Sequence, residues 1–187
     1  MSTGSEGRVV LVAEVVMRSD PKSPEGFAEF VAERSGSLVR AAWLLTGDAH
    51  KAEDLVQVAL VRLWERWSGV EEPGAYARRV LYTTYMTWWR RRWRAERPSA
   101  VVPDAVTRDD VEGDAVVRLA VRGRLARLSS RQRAVVVLRF FEDCSVEDAA
   151  RVLGCSTGSI KTHTSRALAV LREDDVLRTL MDEGVVL

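Results

Sequence analysis

The sequence predicts an all-helical protein of two small domains joined by an acidic linker, and three observations support this. Apolar residues recur at steps of three and four in long segments that no proline interrupts. Prolines and acidic residues gather instead between residues 98 and 114, where large apolar side chains are few. A chain of 187 residues, 47% of them apolar, suffices for one ordinary domain or two small ones with real cores.

Three helices are expected in the first domain. Their predicted bounds are Phe27–Leu45, Ala49–Trp67 and Ala75–Arg94. Gly47 ends the first helix, and Asp48 can cap the second. Glycines and Pro73 place a loop at residues 68–74. Three helices with such short connections can form one compact bundle.

The third of these helices reads AYARRVLYTTYMTWWRRRWR and mixes aromatic rings with arginines. Helical spacing places Tyr82, Tyr85, Trp89 and Trp93 on one face. Two interpretations remain open from this stretch alone. The guanidinium groups hold phosphates while the rings stack on unpaired bases, or the helix belongs to the core and has a solvated, cationic end.

The second domain is predicted to end in a helix-turn-helix. Its expected helices are Ala115–Leu128, Ser130–Glu142, Val146–Leu153 and Thr157 to about Arg172. Ser129 with Gln132, and Ser145 with Asp148, form capping boxes that begin the second and third of them. The last two helices, with a short turn after Gly154, have helix-turn-helix dimensions. The last helix carries outward residues of the types that read base edges.

The net charge of +1 is a sum over unlike segments. Residues 75–97 and 116–172 are basic, whereas residues 104–114 are acidic. This division is typical of a protein with a polyanion site at each end. Nearly all of the positive charge is arginine, which favours fork-like phosphate contacts.

Other classes of site find little support. Cys144 and Cys155 are too few, and too far from any pair of histidines, to indicate zinc, so we expect reduced thiols, no metal and no cofactor. The apolar run Val9–Met17 is too short to span a bilayer. Residues 1–26 fit neither domain and are expected to be a mobile extension, with Met17 as a possible biological start that intact-mass analysis would decide.

Three motifs occur together in a specific order. They are AEDLVQ at Ala52–Gln57, the basic aromatic helix after a Gly/Pro loop, and LSSRQRAVVVLRFFEDCSVEDAARVLGCSTGSIKTHTSRALAVLR at Leu128–Arg172. In these the chain resembles the extracytoplasmic-function (ECF) sigma factors of bacteria. The segment WWRRRWRAERP is similar to the actinobacterial sigma-E-type subgroup. The resemblance implies a promoter-recognition subunit of RNA polymerase with no catalytic residues of its own.

The resemblance also implies a domain division and a set of partners. The implied segments are an extension at 1–26, sigma region 2 at 27–97, an acidic linker at 98–114, sigma region 4 at 115–175 and a tail at 176–187. The implied partners are promoter DNA and core RNA polymerase, through its beta-prime clamp helices and beta flap. An anti-sigma factor is a further partner that the resemblance leaves open. No membrane partner is implied, and the expected location is the cytoplasm.

The family pattern assigns residues of the first domain to polymerase and to the −10 element. Polymerase contacts are implied for Asp54, Gln57, Arg62 and Trp64. Contacts with the −10 element, including a flipped base held by the loop, are implied for Trp67, Ser68, Gly69, Val70, Tyr76, Arg79, Tyr82 and Thr83. Contacts with the phosphate backbone are expected for Arg90, Arg91, Arg92 and Arg94. Two positions depart from the pattern, since Val58 stands where an acid is common and Thr83 where Asn is frequent.

In the second domain the resemblance places the last helix in the major groove at the −35 element. The implied contacts are Thr157, Ser159, Lys161, Thr162, His163, Ser165 and Arg166. His163 stands where the family often has Arg, so an exposed helix residue and a DNA contact are both open for it.

Two other functions stay open at this point. A stand-alone helix-turn-helix regulator would use the amino-terminal bundle for dimerisation or sensing. An enzyme would need a site, and His50 and Asp54 lie four residues apart on a helix, as metal ligands can. No second ligand pair, nucleophile dyad or phosphate loop accompanies them.

Overall fold

The computed structural model describes residues 24–95 and 112–172, and this part of the chain consists of helices and turns without a strand. The chain divides into two compact units, Met1–Asp110 and Val111–Leu187. The all-helical, two-unit fold is therefore confirmed. The predicted extension before residue 24, the linker up to residue 111 and the tail beyond residue 172 lie outside the described residues.

The first unit is a bundle of three helices. They are α1 (Phe27–Thr46), α2 (Ala49–Trp64) and α3 (Pro73–Ala95), with a 3₁₀ turn at Trp67–Gly69 between α2 and α3. Each helix packs against the other two. Gly47 ends α1 in the left-handed conformation (φ 69°), and its N–H bonds to the Trp43 carbonyl at 2.7 Å. The Asp48 side chain accepts from the Lys51 N–H at 2.9 Å and so begins α2 as predicted.

Helix α2 ends three residues before its predicted bound. Beyond Trp64 the backbone tightens, because the Arg66 N–H bonds to the Leu63 carbonyl at 3.1 Å, three residues back rather than four. The next bonds form the 3₁₀ turn, in which the Gly69 N–H meets the Arg66 carbonyl at 2.9 Å.

Helix α3 begins at Pro73, where a proline suits the first helical position because its missing N–H would find no partner there. Its inner face includes Leu81, Tyr82 and Tyr85, whose exposed fractions are 0%, 0% and 1%. The core interpretation of the aromatic face therefore holds for the two tyrosines. Trp89 is half-buried, and the side chain of Trp93 lies outside the described part.

The second unit contains the helix-turn-helix. Its helices are α4 (Glu112–Ala126), α5 (Ser130–Val136), a π-helical continuation (Val137–Phe141), α6 (Val146–Leu153) and α7 (Thr157–Arg172). Helix α7 packs on both α5 and α6. Side chains that are fully buried here include Ala134, Val135, Leu138 and Ile160. The Arg133 guanidinium is also buried, and its Nε–H donates to the Leu125 carbonyl at 2.8 Å, which ties the end of α4 to α5.

The sequence predicts one helix at Ser130–Glu142, and the structure widens its last turn. The Glu142 N–H bonds to the Val137 carbonyl, five residues back, at 3.0 Å. Asp143 then takes a positive φ of 48°, and the Cys144 N–H returns to the Leu138 carbonyl. An Arg139 N–H donates to the Cys144 carbonyl across the same turn. This wide turn leads directly into the Ser145 cap of α6.

Helix caps fix the bounds of the helix-turn-helix. Ser129 and Gln132 form the reciprocal capping box predicted for α5. The Ser145 hydroxyl accepts from the Asp148 N–H at 2.9 Å and begins α6. Gly154 ends α6 in the left-handed conformation. Ser156 caps α7, because its Oγ accepts from the Ser159 N–H at 3.2 Å.

Replacing Ser129 with Ala should lower the free energy of unfolding of the second unit by about 1 kcal/mol, because the substitution removes the capping hydroxyl. Urea unfolding of the full chain followed by circular dichroism measures this. Ser130→Ala, one residue inside the same helix, is the matched control and should change stability by less than about 0.5 kcal/mol. Equal losses in the two variants would contradict the capping role.

Candidate nucleic-acid interface

One side of α7 collects most of the residues predicted to read the −35 element. The opposite side of α7 faces the core of the second unit and includes the buried residues Ile160, Ala167 and Leu171. The exposed residues of the predicted set are Thr157, Lys161, Thr162, Ser165 and Arg166. Ser159 and His163 are half-buried and lie at the border of the exposed face. The helix thus presents two cations and several hydroxyls to solvent over about three turns.

Two of the hydroxyls on α7 are engaged within the helix. Thr162 Oγ1 donates to the Gly158 carbonyl at 2.9 Å, so this oxygen can still accept a hydrogen bond but has no second proton to donate. Ser159 Oγ lies 2.9 Å from Ser156 Oγ at the amino end of the helix. Lys161, Arg166 and the exposed hydroxyls of Thr157 and Ser165 can then donate to a phosphate or to a base acceptor.

His163 is electrostatically unlike its neighbours. Burial lowers its pKa below the ordinary histidine value, and the positive charges of Arg131 and Arg166 lower the pKa further. The imidazole is therefore neutral near pH 7, whereas an arginine at this position would be charged. Arg131, which lies on α5, was missed by sequence reasoning. Helix α5 packs against α7, and this packing between helices gave no signal in the sequence.

The loop after α2 exposes only part of the predicted −10 set. Ser68 and Gly69 are exposed, and a Cβ atom placed on Gly69 would meet no atom within 4 Å. Val70 and Trp67 are half-buried. The Trp67 ring packs against Phe27 and Phe30, with ring centroids 5.0 and 5.6 Å away. The tip of the loop is therefore open to a ligand, while its first residue packs on α1.

Helix α3 brings three of its four predicted −10 residues to one stripe. Positions 76, 79 and 83 follow the helical steps of three and four; Tyr76 is half-buried, and Arg79 and Thr83 are exposed. The Thr83 hydroxyl donates to the Arg79 carbonyl at 2.8 Å, which leaves it as an acceptor. Tyr82 does not fit the predicted set, because its exposed fraction is 0% and its ring therefore offers no surface on which a base can stack.

Farther along α3 lie the arginines predicted to hold the phosphate backbone. Arg90 and Arg91 are exposed. The side chains of Arg92 and Arg94 lie outside the described residues. Trp88 and Trp89, which precede these arginines, are half-buried.

Helix α2 carries the residues predicted to bind polymerase. Asp54, Gln57 and Arg62 are exposed, whereas Val58 beside them is half-buried. Trp64 is half-buried and meets the Phe27 ring edge-on at 5.2 Å between centroids, so much of its ring is used in packing. Val61 has 52% of its surface exposed, and sequence reasoning missed it as an interface residue. Its position outside the apolar period of α2 was the signal for its exposure.

Within residues 24–95 and 112–172, no cluster of three or more His, Cys, Asp or Glu side chains is arranged to hold a metal ion. His50 and Asp54 are both exposed. No helix in this described part is long and apolar enough to cross a membrane.

Comparison with known proteins assigns both units. Residues 30–95 match the family described as Sigma-70 region 2, and residues 118–171 match Sigma-70, region 4. The RNA polymerase sigma-E factor of Streptomyces avermitilis is 42% identical over 151 residues, which cover 79% of this chain and 84% of that protein. The chain belongs to the ECF sigma factors. The sigma-E factor of Streptomyces coelicolor, 41% identical over 157 residues that cover 82% of this chain and 88% of that protein, supports the actinobacterial sigma-E type.

A solved structure has the same fold as this sigma factor. It is the sigma factor RpoE in complex with the anti-sigma factor NepR from Bartonella quintana, with a TM-score of 0.62 and 26% identity. The likeness covers 80% of this chain and 96% of that one. Sigma factors are DNA-binding transcription initiation factors and not enzymes on their own, so the family assignment disfavours the regulator and enzyme interpretations.

Acid should destabilise the second unit of this sigma factor through His163. The pKa of His163 is lowered in the folded state. The folded state therefore binds fewer protons than the unfolded state, in which histidine has a pKa of about 6.5. The stability contribution is complete above this pH and is lost as the pH falls through the lowered pKa. Urea unfolding of the full chain at pH 7.5 and 5.5 should show this loss.

His163→Gln should remove that part of the pH dependence, since glutamine carries no titrating proton. Arg131→Gln should only reduce it, because the burial of His163 remains. An unchanged pH dependence in His163→Gln would show that another group causes it.

Proposed function

We propose that the chain binds core RNA polymerase, recognises the −35 and −10 promoter elements and initiates transcription by melting the −10 region. The observation that carries the proposal is the exposed face of α7 in a capped helix-turn-helix. It occurs in one chain with a second helical unit that has an open loop and a cationic helix. The proposed segments are region 2 at 27–97, the linker at 98–114 and region 4 at 115–175, and the proposed location is the cytoplasm.

Readout of the −35 element is assigned to α7. An α-helix fits the major groove, and residues near its amino end contact base edges in helix-turn-helix proteins. Lys161, Thr162, Ser165 and Arg166 are the proposed contacts with bases and phosphates. Thr157 and Ser159 lie at the amino end of the helix, where backbone N–H groups favour a phosphate. His163 borders this face as a neutral side chain.

Melting of the −10 element is assigned to the loop 67–70 and to the stripe of α3 that carries Tyr76, Arg79 and Thr83. Flipping a base costs a few kcal/mol, and stacking on an aromatic ring contributes about 1–3 kcal/mol per base. Tyr82 is buried in the core. Among the proposed −10 residues of α3, Tyr76 is therefore the aromatic side chain that can meet a base. The stacking free energy of one captured base is therefore comparable to the cost of flipping that base. The arginines at 90, 91, 92 and 94 are proposed to hold the backbone.

Binding of the beta-prime clamp helices is assigned to the exposed face of α2. Asp54, Gln57 and Arg62 supply charge and hydrogen bonds, and Val61 adds exposed apolar surface next to Arg62. Apolar surface surrounded by polar groups is typical of protein interfaces. Trp64 acts in this proposal by packing beneath the face. The beta flap is the proposed partner of region 4.

An anti-sigma factor is a proposed partner of this chain as well. The supporting observation is the Bartonella sigma factor, whose structure was solved with its anti-sigma factor and whose fold this chain shares at 26% identity.

The test of the proposed function is run-off transcription with purified core polymerase. Transcription starts are first mapped after forced expression, because they give both promoter elements at once. The chain with core should then produce transcripts from these promoters, and core alone should not. Specific binding to duplex DNA without core, with no transcript, would instead indicate a stand-alone regulator.

Arg166→Ala should weaken promoter binding by about 1–3 kcal/mol if Arg166 contacts a base through both arms of its guanidinium. Run-off yield on a mapped promoter at limiting holoenzyme measures this loss. Arg172→Ala is the control, since Arg172 is exposed at the carboxyl end of the same helix, away from the residues that enter the groove. An unchanged yield for Arg166→Ala would remove it from the −35 set.

Asp54→Ala should weaken core binding and leave the helical content of the chain unchanged, because Asp54 is exposed. Glu33→Ala removes the same charge from an exposed site on α1 and should bind core normally. Titration of labelled chain with core measures both affinities. Normal core affinity in folded Asp54→Ala would exclude Asp54 from the clamp contact.

A further inference from the structure

The Trp67 side chain packs against residues just before and at the start of α1. Its Nε1–H donates to the Glu25 carbonyl at 2.9 Å, across 42 positions of sequence. Its ring meets Phe27 edge-on, at 5.0 Å between centroids and an interplanar angle of 81°. Phe30 lies one helical turn farther along, at 5.6 Å from the same ring. The polar atom and the ring of Trp67 are thus both held by residues 25–30, which we call the α1 clasp.

We propose that Trp67 is a positioning residue that fixes the loop 67–70 in the conformation that accepts a −10 base, and that it does not touch the base itself. This inference rests on the proposed function of that loop. It replaces the direct −10 contact that the family resemblance implies for Trp67 with an indirect role.

The backbone before α1 is shaped for this contact. Gly26 has φ 80°, a left-handed conformation that residues with a side chain rarely adopt. The Phe27 N–H bonds back to the Pro24 carbonyl at 3.2 Å and closes a turn, whose second residue is Glu25. A Cβ atom on Gly26 would lie 3.7 Å from Cζ2 of Trp67, so the turn and the indole are in direct contact range.

The rest of the 3₁₀ turn has no comparable anchor. Ser68 and Gly69 are exposed, so within Trp67–Gly69 the indole is the one side chain that packs. The Gly69 and Val70 N–H groups bond to the Arg66 and Trp67 carbonyls, which hold the turn together but do not attach it to the bundle. Phe27 also contacts Trp64 at the end of α2, so the same ring packs on the end of α2 and on the start of the 3₁₀ turn.

A preformed loop binds its ligand more tightly than one that must become ordered during binding, because it has already lost that conformational entropy on folding. Loss of the clasp should therefore weaken base capture while core binding and −35 readout remain. A side chain that only stabilised the bundle would instead lower all of these together with the melting temperature.

The test uses holoenzyme assembled from core polymerase and the full chain. The probe is a fork-junction DNA built from a mapped promoter, duplex through the −35 element and single-stranded at −10. Trp67→Phe keeps an aromatic ring but loses the Nε1 donor, and should bind this probe about threefold to tenfold more weakly. Gly26→Ala strains the clasp without changing the loop sequence and should weaken binding in the same direction.

Four further measurements test whether the effect is specific to the loop. Core affinity should stay at its wild-type value in Trp67→Phe, and the melting temperature of the free chain should fall only slightly, because one hydrogen bond at an exposed site is lost. Trp43→Phe, a half-buried tryptophan near the other end of α1, is the matched control and should bind the probe as wild type does. Ser68→Asp places a negative charge on the exposed tip and tests the loop itself.

The outcomes distinguish the positioning role of Trp67 from the proposed function of the loop. Weak probe binding by Ser68→Asp with normal binding by Trp67→Phe and Gly26→Ala would overturn the clasp and leave the proposed function of the loop standing. Normal binding by Trp67→Phe, Gly26→Ala and Ser68→Asp, with normal core affinity, would overturn the proposed function of the loop.

Discussion

The burial of Tyr82 and Tyr85 in the first unit decides which side of α3 can meet DNA. Two large rings packed against α1 and α2 set the rotation of α3 about its axis, because turning the helix would expose them. With that rotation set, Tyr76, Arg79 and Thr83 fall on one stripe outside the core. The same helix therefore completes the bundle and presents an aromatic ring, a cation and an acceptor oxygen to solvent.

Short-range patterns allowed much of the fold to be predicted. Asp48, Ser129 and Ser145 cap their helices as expected, and the bounds of α6 and α7 agree with the sequence. These features depend on residues three or four positions apart, so a sequence contains them fully. The family assignment is likewise confirmed, since several motifs of fair specificity occurred in one order.

Features that depend on distant contacts were not predictable in the same way. Tyr82 shares its helical period with Trp89, which is only half-buried, and only the packing of α3 against α1 and α2 shows that Tyr82 is in the core. Helix α2 ends early next to Trp67, whose partners Glu25 and Phe27 lie about 40 positions earlier in the chain. His163 is half-buried in a unit where α5 packs on α7, and a cation from α5 shifts its pKa. Periodicity within one helix contains none of these contacts.

The two proposed DNA surfaces differ in rigidity, and the difference suits their substrates. Helix α7 is proposed to read duplex DNA, whose groove has a fixed shape, and caps at Ser145, Gly154 and Ser156 hold its helix-turn-helix in one conformation. The loop after α2 is proposed to admit a base that has left its stack, and its tip at Ser68 and Gly69 is exposed, with open space at Gly69. An open tip on an unanchored loop would lose affinity through disorder. The packing of Trp67 on α1 resolves this conflict, because it holds the base of the loop and leaves the tip free.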